Sequence, residues 1–432
     1  MRVPGLLLFV LALGASARLQ AKELFVATDG VDTQAGTLAK PLASLMKAQE
    51  LAAPGDTVWI RGGTYKAKAD KVAKEQRIWT YIHYFVRSGR PDQPIRYWAY
   101  KDEKPIFDCT DVAPANRRIN AFQVMGSWLH FRGFEVVGTQ VNFQGHGQSC
   151  NVENHGSHNI FERLSLHDSQ AIGIYALSGS HNLFLNCDAY QNYDYTSEDK
   201  RGGNVDGFGG HPSQGSVNNV FRGCRAWFNS DDGYDCISAW ESVRFENCWA
   251  LYNGYGPNFE KHGDGNGFKV GGYGNMPSNG IPTPAPRHVT VGCLAVRNKA
   301  SGFYANHHLT GGDWSYNSAY RNSHDFNFLM RTPDNAEDID GCEHRILANL
   351  SFRGIRDVTK LNVAKCDLKD NAFNTEKKFT EASFESLEEA ALLGPREADG
   401  SLPRVIFLNP TDRKLAAQAG YTAWPLIKPA TK

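Results

Sequence analysis

The chain has 432 residues, and its 46 lysines and arginines balance its 46 aspartates and glutamates. This even charge gives no indication of nucleic-acid or anionic-membrane binding, so any attraction for an acidic partner must come from a local site. After the N-terminus no stretch reaches the roughly 18 uninterrupted apolar residues of a membrane helix, and the length suits two or three ordinary domains or one elongated repeat domain.

The N-terminus has the pattern of an export signal. Arg2 precedes an apolar run from Leu6 to Leu13, and residues suited to cleavage follow at Ala15-Ser16-Ala17 or Leu19-Gln20-Ala21. Such a run is too short to cross a membrane. We therefore expect residues 1–21 to be a signal peptide. The mature chain, 22–432, is expected to be a monomer secreted to the extracellular or periplasmic space, with neither nucleic acid nor membrane as a partner.

The first elements suggest a capped repeat fold. Residues from Glu23 read as a strand, and Lys40 to Ala53 carries apolar residues at helical spacing before it stops at Pro54-Gly55. Short β-rich runs separated by Gly, Asp and Asn turns follow, without another long helical pattern. We expect the helix to cover one open end of a solenoid.

A repeat of about 24 residues organises the middle of the chain. Ser157-His158-Asn159-Ile160-Phe161 returns 23 residues later as Ser180-His181-Asn182-Leu183-Phe184. A Cys-x4-Asn pattern continues the register, at Cys187/Asn192, Cys224/Asn229, Cys248/Asn253 and Cys293/Asn298, and Asn317/Asn322 extends it with asparagine in the cysteine's place. Fixed periods of this length are typical of repeat architectures.

This period predicts an all-β fold, a right-handed parallel β-helix of about ten coils with an N-terminal capping helix. Stacked cysteines are expected as small apolar core residues, and stacked asparagines suit tight turns. Disulfides along the ladder are not favoured, because parallel strands in register orient the Cβ vectors poorly for them. We expect one domain, with 371–432 as a C-terminal segment packed on the solenoid and a short helical run at 413–419.

A second repeated motif pairs a glycine with an aromatic or aliphatic residue. Successive side chains of a strand face opposite sides, so an inward stack of the second residues places the third residues outward. The register predicts that Asp235 lies beside Lys269 and that Asp206 stacks on Asp232, with Asp231 alongside. The aligned segments are Gly173-Ile174-Tyr175, Gly207-Phe208-Gly209, Gly233-Tyr234-Asp235, Gly267-Phe268-Lys269 and Gly302-Phe303-Tyr304.

Four gathered carboxylates raise one another's pKa unless a cation lies among them. Their oxygen ligands favour a hard cation such as calcium, which would in turn lower the pKa of Lys269 and make its neutral amine a base. Taken singly, Asp-Gly segments are ordinary turns and an outward lysine is usually solvated, so the prediction depends on the register. Asp264 and Asn266 are candidates for extending the site, and either is equally a turn residue.

These residues resemble polysaccharide lyase family 9, whose pectate-lyase-like members are right-handed parallel β-helices. The resemblance implies that Asp206, Asp231, Asp232 and Asp235 bind calcium and that Lys269 is the Brønsted base. The motifs that carry it are Asp206-Gly207-Phe208-Gly209, Gly223-Cys224-Arg225-Ala226-Trp227, Asn229-Ser230-Asp231-Asp232-Gly233-Tyr234-Asp235 and Gly265-Asn266-Gly267-Phe268-Lys269-Val270-Gly271-Gly272.

The resemblance implies β-elimination on an acidic plant-type polysaccharide, with pectate (polygalacturonate) as the main expectation. The chain departs from the pectate-lyase pattern at Tyr304-Ala305-Asn306-His307-His308, where members often carry an acidic residue and an asparagine run. Rhamnogalacturonan or another uronate polymer is therefore the alternative substrate. We expect substrate contacts from Tyr304, Asn306, His307 and Arg331, with only one of His307 and His308 able to face the groove.

Two other functional classes remain open at this point. A β-helix glycoside hydrolase would use paired carboxylates without a metal, but it leaves Lys269 without a role. A noncatalytic carbohydrate-binding solenoid would use aromatic side chains as sugar platforms, among them Trp227, Trp240, Trp249 and Tyr255. Calcium dependence and an unsaturated product distinguish the lyase from both.

Overall fold

Three parallel sheets wind around one core in a right-handed parallel β-helix, as predicted. The computed structural model describes residues 21–145, 147–197, 201–277, 280–376, 378–412, 415 and 420–422. The predicted signal peptide and most of the helical run predicted at 413–419 lie outside these residues. No helix in the described ranges is long and apolar enough to cross a membrane.

Each coil contributes one strand to each sheet, so strands consecutive within a sheet come from neighbouring coils. The first sheet comprises Glu23–Val26, Thr57–Ile60, Ile95–Ala99, Leu129–Arg132, Ile160–Glu162, Leu183–Leu185, Asn219–Arg222, Val243–Glu246, Val289–Val291, Asp313–Ser315, Arg345–Leu347 and Asp367–Lys369. The second sheet comprises Gly63–Lys66, Pro105–Asp108, Glu135–Val137, Ser165–His167, Asp188–Tyr190, Arg225–Trp227, Trp249–Leu251, Leu294–Val296, Ser318–Tyr320 and Leu350–Phe352.

The third sheet carries the predicted site. It comprises Lys74–Gln76, Trp79–Phe85, Arg117–Val124, Val141–Asn142, Cys150–Asn154, Ile172–Ala176, Phe208–Gly210, Tyr234–Asp235, Phe268–Lys269, Ser301–Tyr304, His324–Asn327 and Arg356–Thr359. Lys74–Gln76 and Val141–Asn142 pair antiparallel with their neighbours, and Met330–Arg331 with Asp338–Ile339 forms a separate antiparallel pair. Short 3₁₀ helices occur at Ala69–Lys71, Val363–Lys365, Ala372–Asn374, Glu381–Ser383 and Glu389–Leu393.

Stacked aromatic rings run through the core along the third sheet. Phe208, Tyr234, Phe268 and Phe303 are all buried, and each ring lies 4.5–5.1 Å from the next. The register pairs Ile174 with Phe208 and continues the same row. This is the inward stack that the Gly-aromatic motif predicted, and it fixes which side chains of the same strands face outward.

Ladders of asparagine side chains stack along the coil axis. Asn192 Nδ2 donates to Asn229 Oδ1 at 3.0 Å, and Asn229, Asn253, Asn298 and Asn322 repeat this bond from coil to coil. Every member is buried, and each amide both donates and accepts. The cysteines of the repeat are buried free thiols that point at backbone carbonyls, as expected for core residues, and the other cysteines are free as well.

The predicted capping helix forms, but it is shorter than the pattern indicated. It spans Leu45–Leu51, with the Ser44 side chain accepting from Lys47 N at its start. The residues before Ser44 are not helical, and Leu42 among them pairs with Val26 in an isolated bridge. Leu45 and Ala48 of the helix belong to the buried core at the first coils, so the helix covers that end of the solenoid.

Residues 379–412, together with Tyr421, lie against the outer face of the second sheet. Phe384, Leu392 and Phe407 form an apolar cluster with side chains of that sheet, including Leu251 and Tyr320. Arg396 binds the Asp188 carboxylate at 2.6 Å and the carbonyl oxygens of Cys187, Gly223 and Gly400. The arginine is mostly buried, and its ion pair fastens the segment to the coils that carry the predicted site.

Candidate active site

An outward row of side chains crosses the third sheet, one from each coil. Tyr175, Gly209, Asp235, Lys269 and Tyr304 follow one another in hydrogen-bonded register. Neighbouring strands lie about 4.8 Å apart, so residues consecutive in this row lie side by side on the sheet. The structure therefore places Asp235 directly beside Lys269, as the sequence predicted. We call Lys269 and the aspartates Asp206, Asp231, Asp232 and Asp235 the aspartate rung.

Glycines bring the coils close together at the rung. A Cβ on Gly233 would lie 2.7 Å from Gly267 O, and one on Gly207 would lie 2.8 Å from Gly233 O. Neither approach is possible for a residue with a side chain. The glycine ahead of each aromatic residue therefore lets the turn that carries Asp231 and Asp232 stack tightly on its neighbours.

Lys269 is the cation of the rung. Its Nζ lies 3.1 Å from Asp232 Oδ2, 3.1 Å from Asp235 Oδ2 and 3.9 Å from Asp264 Oδ2. The lysine side chain is 12% exposed, so a small part of it reaches the groove surface. One amine thus faces three carboxylates at the outer surface of the sheet.

Backbone and amide donors orient the aspartates. Asp206 Oδ1 accepts from Asp232 N at 3.1 Å, and Asp231 Oδ1 accepts from Asp264 N at 2.6 Å. Asp232 Oδ1 accepts from both the backbone N and the Nδ2 of Asn266, at 2.6 and 2.9 Å. Each of these bonds uses one carboxylate oxygen and leaves the other available.

Burial and mutual repulsion shift the ionisation of the rung. Burial, together with the neighbouring carboxylates, raises the pKa of Asp206 and Asp231 well above the usual range and that of Asp232 to about 6. Burial alone would lower the pKa of Lys269, but the four carboxylates outweigh it and raise that pKa well above its ordinary value. Ionisation of all four aspartates at once would place more negative charge in the rung than one lysine balances.

The donor set fits a hard cation. Carboxylate oxygens of Asp206, Asp232 and Asp235 lie within 4.8 Å of one another, and those of Asp231, Asp232 and Asp264 form a second such group. Asp232 Oδ2 is buried and makes no hydrogen bond, although Lys269 Nζ is near. Asp264 joins the four predicted ligands as a candidate. Oxygen ligands alone are the set that calcium prefers.

The structure separates the four predicted substrate-contact residues. Tyr304 follows Lys269 in the outward row. Asn306 is buried, and its Nδ2 donates to Gly271 O at 2.7 Å, so its amide is turned to the backbone. His307 and Arg331 share the Asp338 carboxylate, at 2.8 and 3.0 Å, so the Arg331 guanidinium already has an ion-pair partner.

His308 does not face the groove, because it is buried and bonded to Pro286 O and Gly272 N. Trp249, one of the aromatic platforms considered for a binding solenoid, is also buried, under the C-terminal segment. Sequence reasoning missed Glu153, which lies in the outward row two coils before Gly209. The signal was present, since Cys150-Asn151-Val152-Glu153 aligns with Ile172-Gly173-Ile174-Tyr175.

Comparisons with known proteins agree with this architecture. The model of the family described as "Pel9A-like, right handed beta helix region" matches residues 24–341. Pectate lyase L of Dickeya chrysanthemi is 31% identical over 398 residues, covering 90% of this chain and 84% of that protein. Pectate lyase PEL9 of Emericella nidulans is 28% identical, covering 91% of this chain and 93% of that protein.

Two solved structures have the same fold over most of their length. A rhamnogalacturonan lyase is 40% identical with a TM-score of 0.88, covering 92% of this chain and 99% of that one. The pectate lyase Pel9A is 28% identical with a TM-score of 0.72, covering 91% and 90%. The chain therefore belongs to the Pel9A-like β-helix family, the polysaccharide lyase family 9 that its motifs indicated.

Proposed function

We propose that the protein is a calcium-dependent polysaccharide lyase that cleaves uronate-containing pectic polysaccharide by β-elimination. The observation that carries this proposal is the placement of Lys269 Nζ at 3.1 Å from two buried aspartates of an oxygen-only cluster. A hydrolase with paired carboxylates accounts for the acids but not for this lysine. The family relationship supports the lyase as well.

Asp206, Asp231, Asp232 and Asp235 would hold the calcium ion, and Asp264 lies close enough to join them. A bound calcium ion would neutralise the uronate carboxylate and stabilise the charge that develops there, which would acidify the proton on C5. Its positive charge would also offset the carboxylates that raise the pKa of Lys269. Metal binding and the basicity of the lysine are therefore coupled.

Lys269 performs the proton transfer. Its Nζ takes the proton from C5 of the uronate, the C5–H electron pair forms the C4–C5 double bond, and the oxygen on C4 leaves with its bonding pair. Asp232 and Asp235 orient the amine from two sides. Tyr304, in the next coil, borders the position of the bound sugar.

Two pectic polymers are candidates for the substrate. Polygalacturonate is the substrate class indicated by the pectate lyases to which the chain is similar. The backbone of rhamnogalacturonan is favoured by a separate observation, the higher identity and TM-score to the rhamnogalacturonan lyase.

We also propose that the protein is exported. The apolar N-terminal pattern is typical of a signal peptide, and pectic polymers lie outside cells.

The test is a screen of polygalacturonate, methylated pectin and rhamnogalacturonan with calcium, followed by the ultraviolet absorbance of unsaturated sugar ends. We expect absorbance to rise with at least one polymer and to stop when a chelator is added. Saturated reducing ends without absorbance would favour a hydrolase. Binding of a polymer without any new ends would favour a noncatalytic solenoid.

A further inference from the structure

A pocket opens in the same groove on the N-terminal side of the aspartate rung. We call it the upstream pocket. It encloses about 470 Å³, and its walls include Trp79, Tyr81, Arg118, Glu153 and Tyr175. Glu153 and Tyr175 are members of the outward row that continues through Gly209 to Asp235 and Lys269. A polymer that lies along this row over Lys269 therefore reaches the upstream pocket about four coils, or about 19 Å, away.

Glu153 is a fixed carboxylate at the floor of the pocket. Its Oε1 accepts from His155 Nε2 at 2.6 Å and from Gln123 Nε2 at 3.1 Å, and its Oε2 accepts from Asn120 Nδ2 at 3.0 Å. The side chain is 14% exposed. Burial would raise the pKa of Glu153, but these partners outweigh burial and lower it, so the group is ionised at neutral pH.

The walls supply the other parts of a sugar site. Trp79 and Tyr81 are half-buried aromatic rings, and such rings pack against the apolar faces of sugars. Arg118 lies with its guanidinium 5.5 Å from the centre of the Trp79 ring, and its Nε donates to Gln148 O at 2.6 Å. A planar guanidinium is suited to binding the carboxylate of a uronate.

The charge of Glu153 restricts what can lie over it. A carboxylate accepts hydrogen bonds from sugar hydroxyls, whereas a uronate in the same position would bring a second carboxylate into a partly buried site. A polymer made only of uronates places a carboxylate on every sugar. A polymer that alternates uronates with neutral sugars offers hydroxyls to Glu153 and a carboxylate to Arg118.

We propose that the upstream pocket is a substrate subsite in which Glu153 binds the hydroxyls of a neutral sugar, so that the groove selects a polymer alternating neutral sugars and uronates over a homopolymer of uronates. The position of this subsite along the substrate depends on the proposed lyase function. It makes Glu153 a specificity-determining residue, since it lies too far from Lys269 to take part in the proton transfer.

Glu153→Gln tests the proposal, because it removes the charge and keeps the shape. We expect the ratio of kcat/KM on rhamnogalacturonan to kcat/KM on polygalacturonate to fall about tenfold, as when hydrogen bonds to a charged group are weakened. Glu162→Gln is the matched control. Glu162 also pairs with a histidine, His130, and is 15% exposed, but it lies in the first sheet, outside the groove. We expect Glu162→Gln to leave the ratio of the two kcat/KM values unchanged.

A second measurement does not depend on turnover. In the Lys269→Ala background with calcium, titration with saturated rhamnogalacturonan oligosaccharides and with oligogalacturonides reports binding through tryptophan fluorescence or calorimetry. The proposal requires that Glu153→Gln weakens binding of the first ligand more than that of the second. Equal losses for both, or no loss for either, would overturn it. If the wild type cleaves none of the polymers, the lyase function fails while this measurement still decides the subsite.

Discussion

The asparagine ladders and the aspartate rung are both stacks of short polar side chains buried in the same coils. In the ladders each amide donates to the next amide and accepts from the previous one, as Asn229 and Asn253 do at 3.0 Å. In the rung the four aspartates are acceptors, and Lys269 supplies the one positive charge beside them. The ladder satisfies its own hydrogen bonds, whereas the rung gathers more carboxylates than one lysine can balance. This difference separates the structural part of the solenoid from its candidate site.

The largest expected effect comes from the one cation of the rung. Lys269→Ala should lower lyase activity about a thousandfold or more, because it removes the proton acceptor. Formation of unsaturated ends measures the loss. Thermal unfolding with calcium present is the control, and we expect the variant to remain folded. A variant that retains activity close to that of the wild type would exclude Lys269 as the base.

Removing an asparagine of a ladder far from the rung should lower the stability of the fold without changing the chemistry of the site. Asn349 is fully buried, donates to Asn371 Oδ1 and Trp314 O, and accepts from Asn317. Asn349→Ala should lower the free energy of unfolding by about 3 kcal/mol, because buried partners lose their hydrogen bonds. Chemical denaturation measures this change. Unchanged stability would contradict the structural role of the ladder. A selective loss of calcium binding would contradict its separation from the rung.

Replacing one aspartate of the rung by asparagine puts a neutral amide in its place, as in the asparagine ladders. Asp206→Asn should leave the melting temperature without calcium unchanged or higher, because it relieves the repulsion that raises the pKa of Asp206. In the wild type, calcium at a hundredfold excess over its Kd should stabilise the fold by about 2.7 kcal/mol. The variant should lose most of this shift. A full calcium response in the variant would remove Asp206 from the ligand set.

The smallest effect concerns a buried histidine beyond the rung. Burial lowers the pKa of His308 to about 4, so the folded protein resists its protonation while the unfolded chain takes up a proton below pH 6.5. This contribution to stability is present above pH 6.5 and is lost as the pH falls toward 4. Between pH 7 and 5 the loss is about 2 kcal/mol.

His308→Gln tests this assignment, because glutamine keeps a donor and an acceptor but does not titrate in this range. Denaturation at pH 7 and pH 5 should show a smaller pH dependence in the variant than in the wild type. Equal slopes would show that His308 does not contribute to the acid sensitivity.

The sequence predicted the parts of the site that depend on register. The Cys-x4-Asn spacing and the Gly-aromatic motif align coils through residues that must stack, so the pairing of Asp235 with Lys269 followed from strand alternation alone. The stacking of Asp206 near Asp232 followed in the same way. Glu153 lies in the same row, but its coil has Asn151 in place of the glycine, so the Gly-aromatic motif does not mark it.

The sequence did not predict the parts that depend on irregular backbone. Asn306 and His307 both adopt positive φ, 52° and 56°, which turns the chain after Tyr304 and directs the Asn306 amide toward Gly271. Arg331 lies in an antiparallel pair that brings Asp338 to its guanidinium. Strand alternation does not extend through such turns, so it does not give the direction of the Asn306 side chain.

Asp325 gives the longest asparagine ladder a defined end. Its Oδ1 accepts from the backbone N and the Nδ2 of Asn322, at 3.2 and 3.0 Å, so the row of amides ends on an acceptor in the same coil. All the amides in the row point the same way, so the row has a polarity, and Asp325 closes its donor end as a capping residue closes a helix. The coil after Asn322, which carries Leu350–Phe352 and Arg356–Thr359, therefore packs on this one without extending the row.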